Sequence, residues 1–154
     1  FLIEQSLYKT PQKENEGIVL IGAKIFGEQY ILAAMYSMLI KGNTNLQVET
    51  KTGLGGTKIC FDALTNNQID MYPEYTGTGL LVILQTPDSI TATLHNDRKK
   101  IFNYVQKQFM EKYNLEWLQP IGFDNSYALM MRKSDAKRLE IKNISDLKNY
   151  LNKK

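Results

Sequence analysis

Residues 18–25, IVLIGAKI, decide the fold, because they form a short and nearly continuous apolar run that is rich in β-branched side chains. Such a run is typical of a parallel strand that is covered on both faces. The residues that follow, 29–40, carry apolar side chains at helical spacing, and Gly42 with Asn43 supplies a stop signal. The chain therefore begins its fold with a strand and then a helix.

The same order repeats further along the chain. We predict a strand at 46–50, a helix at 57–64 with Thr57 as its N-cap, a strand at 69–72, and a helix at 80–84 after a loop at 73–79. Strands that alternate with helices predict a mainly parallel sheet flanked by helices, which is an α/β fold.

Residues 1–17 begin with a short apolar patch and become polar, and we interpret them as a linker or tail.

The second half of the chain contains further predicted elements. In this half we predict a loop at 86–96, an amphipathic helix at 97–113, an edge strand at 116–120, a strand at 127–132 and a helix at 145–151 with Ser145 as its N-cap.

Composition excludes several classes of protein. The 154 residues are 43% hydrophobic with a formal net charge of +3, which excludes a disordered or coiled-coil chain and does not favour nucleic acid as a partner. Cys60 and His95 are the single cysteine and the single histidine, so a common zinc site is not expected. We expect neither a metal nor a cofactor.

Three segments follow predicted strands, at 24–29, 53–57 and 75–79. In an open α/β sheet, ligands bind beyond the carboxyl ends of the strands, so we expect these segments to converge on one rim. The glycine run at 53–57, GLGGT, is either a tight turn or a loop that holds an anion. It matches neither the dinucleotide-binding fingerprint nor the phosphate-binding loop.

Aromatic and charged side chains near these segments are the candidate site residues. Tyr75 either covers the edge of the core or presents its ring to a cation, and Tyr127 has the same two interpretations. Lys24 is either solvated or pairs with a carboxylate of a ligand. Glu28 and Glu74 are predicted to be cap or solvent residues.

Several motifs together resemble those of one family. Residues 22–32 (GAKIFGEQYIL), 49–57 (ETKTGLGGT) and 72–79 (YPEYTGTG) closely resemble segments of the glycine betaine/choline-binding proteins of bacterial osmoprotectant ABC importers. Residues 122–129 and 144–147 fit the same family in the same order.

The resemblance implies a type II periplasmic-binding-protein-like fold, in which two α/β lobes close over the ligand. We expect the first lobe at 18–122 and the start of an incomplete second lobe at 123–154. Because the family's proteins continue past this point, we expect exposed apolar surface and consider self-association as one way to cover it.

The resemblance also implies a function. The protein is expected to bind a quaternary ammonium compatible solute outside the cytoplasm, anchored or fused to the membrane permease of an ABC importer. By this resemblance, Tyr75 and Tyr127 are expected to form walls of an aromatic cage. Thr78 is expected to make a polar contact with the ligand, and Lys24 to pair with a carboxylate of the ligand. The charge of Lys24 favours glycine betaine, with choline or carnitine as alternatives.

Two other classes of function remain open at this point. One is an α/β enzyme that uses residues 53–57 for a phosphorylated substrate, although no convincing acid–base pair accompanies that loop. The other is a sensory ligand-binding domain with the same pocket chemistry.

Overall fold

The computed structural model describes residues 17–95, 97–122, 124–126 and 128–153. The expected linker or tail lies outside these residues except for Gly17. The elements within them are β1 (Ile18–Gly22), α1 (Gly27–Asn43), β2 (Gln47–Lys51), α2 (Thr57–Thr65), α3 (Thr76–Thr78), a π-helical turn (Gly79–Ile83), α4 (Asp88–Thr93), α5 (Arg98–Tyr113), α6 (Lys133–Arg138) and α7 (Ile144–Asn152). The chain divides into two compact units between Trp117 and Leu118.

The sheet of the first unit is parallel, as predicted. β1 pairs with β2 in a register that runs from Ile18 opposite Gln47 to Gly22 opposite Lys51. The expected third strand is reduced to one parallel bridge between Ile21 and Met71.

A side chain limits that third strand. The backbone N–H of Leu20 donates to a carboxylate oxygen of Asp70 at 2.7 Å. This N–H is therefore taken by a side chain rather than by a backbone carbonyl, and the prediction of a full strand at 69–72 is wrong.

Two apolar clusters hold the first unit together. One lies between the sheet and α1 and is formed by Ile21, Ala23, Ala33 and Val48. The other joins the π-helical turn to α5 and is formed by Leu80, Leu84, Val105 and Phe109. The ring of Phe109 makes edge-on contacts with Phe61, Tyr113 and Trp117, at centroid distances of 6.0, 5.4 and 5.2 Å.

Gly79 lies where these aromatic rings meet the π-helical turn. A Cβ at this position would come within 2.7 Å of Cζ2 of Trp117, so the close approach of the turn to the indole requires glycine. The π-helical turn itself, with Leu84 N–H donating to Gly79 O at 3.0 Å, replaces the ordinary helix predicted at 80–84.

Several sequence-based boundaries are wrong. The predicted loop at 86–96 contains α4, no strand forms at 116–120 or in the described residues 128–132, and α6 has no counterpart among the predicted elements.

Two predicted helix caps also differ from the structure. Gly56 rather than Thr57 is the N-cap of α2. In the second unit, Asn143 rather than Ser145 caps α7, through a reciprocal pair of hydrogen bonds with Asp146. None of the described helices has both the length and the apolar character needed to cross a membrane.

Candidate functional site

The three segments that follow the strands of the first unit meet at one rim, which confirms the predicted convergence. The N–H of Leu54 donates to Ala23 O at 3.1 Å, and the N–H of Ile25 donates to Gly55 O at 3.2 Å. These bonds join the segment after β1 to the glycine run. The Lys24 ammonium contacts Glu74, the residue directly before the third segment, and lies 5.4 Å from the ring centroid of Tyr75 within that segment.

The glycine run is a loop without regular secondary structure that leads into α2. Gly53 and Gly55 have φ angles of +71° and +131°, a region that favours glycine. The Leu54 N–H donates to Ala23 O, so this one backbone donor of the loop is not available to an anion. Both sequence interpretations of residues 53–57, a tight turn and a loop that holds an anion, stay predictions.

Lys24 and Glu74 form a buried ion pair at this rim. Lys24 Nζ lies 2.5 Å from Glu74 Oε1, and the two side chains are 3% and 6% exposed. The prediction that Glu74 is a cap or solvent residue is wrong. The parallel bridge explains the pairing, because Ile21 lies opposite Met71 and three further residues on each segment bring Lys24 and Glu74 together.

Tyr75 is held by contacts at both of its ends. Its backbone N–H donates to Glu74 Oε1 at 2.8 Å, and its hydroxyl donates to Glu28 Oε1 at 2.9 Å. Lys24 Nζ lies 5.4 Å from the centroid of the ring, within the range of a cation–π contact. The half-buried ring is therefore positioned by its contacts with Glu28 and Lys24 of the same chain.

Glu28 also departs from its predicted role. It lies in the first turn of α1, where a negative charge is favourable, but it is half-buried and accepts the hydrogen bond from Tyr75. Local sequence contains no signal for this contact, since 47 residues separate the two side chains.

Burial shifts the ionisation of two neighbours of the ion pair. Burial raises the pKa of the Tyr72 phenol far above its ordinary value, and the negative charge of Glu74 raises it further. Burial likewise raises the pKa of the Cys60 thiol, with opposing effects from Lys24 and Glu74. Both groups stay neutral near pH 7, and Cys60 is a buried thiol, as predicted.

The structure describes some of the remaining predicted site residues and not others. Thr78 is the last residue of α3 and is half-buried, directly before the π-helical turn. Tyr127 lies outside the described residues, so its role stays a prediction. Lys24 lies two residues after the end of β1, and Glu74 already supplies a carboxylate to its ammonium. Its direct contact with a ligand carboxylate also stays a prediction.

Sequence reasoning gave no role to the side chain of Gln29. The residue is fully buried in the first turn of α1, and neither polar atom of its amide has a hydrogen-bond partner among the described residues.

Across the part of the chain that the structure describes, no group of three His, Cys, Asp or Glu side chains could hold a metal ion. The rim is thus built from aromatic rings, carboxylates and one lysine.

Comparison with known proteins gives concordant matches. Residues 18–154 match the OpuAC family, described as the substrate binding domain of ABC-type glycine betaine transport system. The chain is 30% identical over 148 residues to the ergothioneine transport permease/ergothioneine binding protein EgtU of Helicobacter pylori strain G27, covering 95% of this chain and 25% of that protein. It is 35% identical over 131 residues to a glycine-betaine-binding protein of Pseudomonas aeruginosa, covering 85% of this chain and 39% of that protein.

A solved structure gives the same result. A crystal structure of a glycine betaine/carnitine/choline ABC transporter matches 84% of this chain and 46% of its own, with a TM-score of 0.62 and 27% identity. The present chain therefore spans less than half the length of each of these relatives. The structural neighbours are periplasmic-binding-protein-like, and the predicted α/β fold class is confirmed.

Proposed function

The chain belongs to the family of substrate-binding domains of ABC-type glycine betaine transport systems, and from this membership we propose that it binds a quaternary ammonium compatible solute for uptake by an ABC transporter. The family consists of binding domains rather than enzymes. The α/β enzyme considered from the sequence is therefore rejected.

The positioning of Tyr75 by contacts within the chain is the observation that carries this proposal. An aromatic ring attracts a cation to its face by about 0.5–2 kcal/mol, provided that the ring does not have to be ordered on binding. Here the hydroxyl of the ring donates to Glu28 and the backbone N–H of Tyr75 donates to Glu74, so contacts within the chain order this residue. The rim also lies at the carboxyl ends of the strands, where α/β folds bind their ligands.

We assign the site residues as follows. Tyr75 and Tyr127 are two walls of an aromatic cage around the ammonium group, and Thr78 offers its hydroxyl to the ligand. Lys24 either binds a ligand carboxylate directly or affects the site through its ion pair with Glu74. We place residues 18–122 in the first lobe and 123–154 at the start of the second.

The partners follow from the proposed function. We propose that the ligand is delivered to a membrane permease and that the protein acts on the extracytoplasmic side, anchored or fused to that permease. A sensory domain would have the same ligand chemistry, and a test of receptor coupling separates it from a transport protein.

Self-association is a further proposal. α1 exposes Ile31, Met38 and Leu39, with exposed fractions of 63%, 74% and 59%. A second copy could cover these side chains. Sedimentation velocity at rising concentration tests this, and a monomer throughout contradicts it.

Isothermal titration of the full-length protein with glycine betaine, choline and carnitine tests the proposed function. We expect Tyr75→Ala to weaken binding by over ~1 kcal/mol, since it removes the ring and its cation–π attraction. Tyr75→Phe is the comparison variant, because it keeps the ring and loses the hydrogen bond from the hydroxyl to Glu28, and it should bind more tightly than Tyr75→Ala. An absence of heat with all three ligands at millimolar concentration contradicts the proposal.

A second pair of variants tests Thr78. Thr78→Val has the same shape without the hydroxyl, and Thr78→Ser keeps the hydroxyl. We expect only the valine variant to bind more weakly. Equal binding by both removes the hydroxyl from the site.

A further inference from the structure

One carboxylate oxygen connects the two parts of the proposed site. Glu74 Oε1 lies 2.5 Å from the Lys24 ammonium and accepts the backbone N–H of Tyr75 at 2.8 Å. The same ammonium lies 5.4 Å from the centroid of the Tyr75 ring. Glu74 therefore contacts both the group that is proposed to bind a ligand carboxylate and the residue that is proposed to bind the ammonium group of the ligand.

Burial makes the position of Lys24 dependent on this oxygen. The side chain is 3% exposed, and among the described residues Glu74 is the one hydrogen-bond acceptor of its ammonium. An ammonium has three donors, so two remain for a ligand carboxylate while Glu74 binds the third. The stem of a lysine is flexible, and a buried ammonium without a counter-charge is unstable. Without Glu74, we expect the ammonium to move towards water.

From this arrangement we propose that Glu74 is a positioning residue, which holds the Lys24 ammonium in place to bind the carboxylate of a zwitterionic ligand. The proposal rests on the proposed function, because it takes Lys24 as the direct partner of that carboxylate. Glu74 also repels a ligand carboxylate, and the proposal states that its effect on the position of Lys24 is the larger of the two.

Three substitutions separate charge from side-chain length. Glu74→Gln removes the charge and keeps an oxygen that can accept the backbone N–H of Tyr75. Glu74→Asp keeps the charge and shortens the side chain by one methylene group. Asp62→Asn makes the same change of net charge as Glu74→Gln, but in the exposed ion pair with Lys58. Glu28, the other carboxylate near Tyr75, is unchanged in all three variants.

The experiment is a titration of the full-length protein and these variants with glycine betaine and with choline. Both ligands carry a trimethylammonium group, and only glycine betaine carries a carboxylate. For Glu74→Gln we expect the Kd of glycine betaine to rise about tenfold, the size of one lost hydrogen bond between charged groups, and that of choline to change less than about threefold. Glu74→Asp should also raise the ratio of the two Kd values, and Asp62→Asn should leave it within about twofold of the wild type.

A double-mutant cycle tests whether Glu74 acts through Lys24. Lys24→Met alone should raise the Kd of glycine betaine about tenfold. In that background Glu74→Gln should add less than about twofold, because no ammonium remains to be positioned. Far-UV circular dichroism shows which variants are folded. If a single variant does not fold, Glu74→Asp and the double variant still provide the test, since neither leaves a buried charge without its partner.

Three results overturn the inference while the proposed function stands. The first is equal weakening of both ligands by Glu74→Gln and Glu74→Asp, which indicates a purely structural role. The second is unchanged or tighter binding of glycine betaine by these variants, and the third is an undiminished effect of Glu74→Gln in the Lys24→Met background. If the wild type binds neither ligand, the proposed function itself fails.

Discussion

The buried pair of Lys24 and Glu74 makes a strong prediction about stability. Lys24→Met keeps a side chain of similar length and removes the ammonium, which leaves the Glu74 carboxylate buried without its counter-charge. Removing one partner of a buried ion pair costs about 3–5 kcal/mol. Both side chains are more than nine-tenths buried, so solvent can do little to compensate. We expect the free energy of unfolding to fall by about this amount.

Urea unfolding followed by tryptophan fluorescence measures this effect. Trp117 is the single tryptophan and packs against Phe109 in the first unit, so its emission reports on the fold that contains the pair. The double variant Lys24→Met with Glu74→Gln should recover a large part of the loss, because it leaves no uncompensated charge.

An exposed pair of the same chemistry provides the control. Lys58 and Asp62 are one helical turn apart on α2 at 2.9 Å, and their side chains are 84% and 48% exposed. Lys58→Met should cost less than about 1 kcal/mol. If Lys24→Met costs no more than Lys58→Met, or if the double variant shows no coupling, the argument from burial is refuted.

Three further predictions concern the first unit, each checked by urea unfolding. Phe109→Ala should cost about 3–5 kcal/mol because it empties a position that contacts three rings, and a cost below about 1 kcal/mol contradicts that packing. Gly79→Ala should cost about 1–2 kcal/mol, since the clash with Trp117 exceeds the gain in helix propensity; a stabilised variant contradicts this. Burial raises the pKa of Tyr72 above 10.0, the value for an exposed phenol, so only the unfolded phenol ionises as the pH passes 10. Stability should therefore fall above pH 10, and less steeply in Tyr72→Phe; equal slopes refute the linkage.

The order of elements in the first unit could be predicted from the sequence because each element has its own hydrophobic period. β1, α1, β2, α2 and α5 all lie within a few residues of their predicted positions. Apolar spacing carries this information locally. The prediction of the third strand was wrong because the side chain of Asp70 binds the backbone of Leu20. This contact spans 50 residues, and no local pattern contains it.

At the candidate site, too, the positions of residues follow from local sequence, whereas their contacts depend on residues far away in the chain. The position of Lys24 after β1 and of Tyr75 before a helix could be predicted from turn and strand signals. The partners of these residues could not, because the pairing of Lys24 with Glu74 depends on strand register and that of Tyr75 with Glu28 on the packing of α1.

One missed feature was present in the sequence. Asn143 followed three residues later by Asp146 has the spacing of a capping box, and this pair forms the N-terminus of α7. The prediction placed the cap at Ser145 because it considered the N-cap residue type alone. Capping is better predicted from the pair of positions than from one residue.

Binding of choline compared with 3,3-dimethylbutan-1-ol tests the central claim most directly. The two molecules share a shape, but a carbon replaces the charged nitrogen in the alcohol, so only choline offers a cation to the Tyr75 ring. We expect titration of the full-length protein to show binding of choline and a loss of at least about tenfold in affinity for the alcohol. Equal affinity for the two, or no binding of either choline or glycine betaine at millimolar concentration, would contradict a site built to hold a quaternary ammonium group.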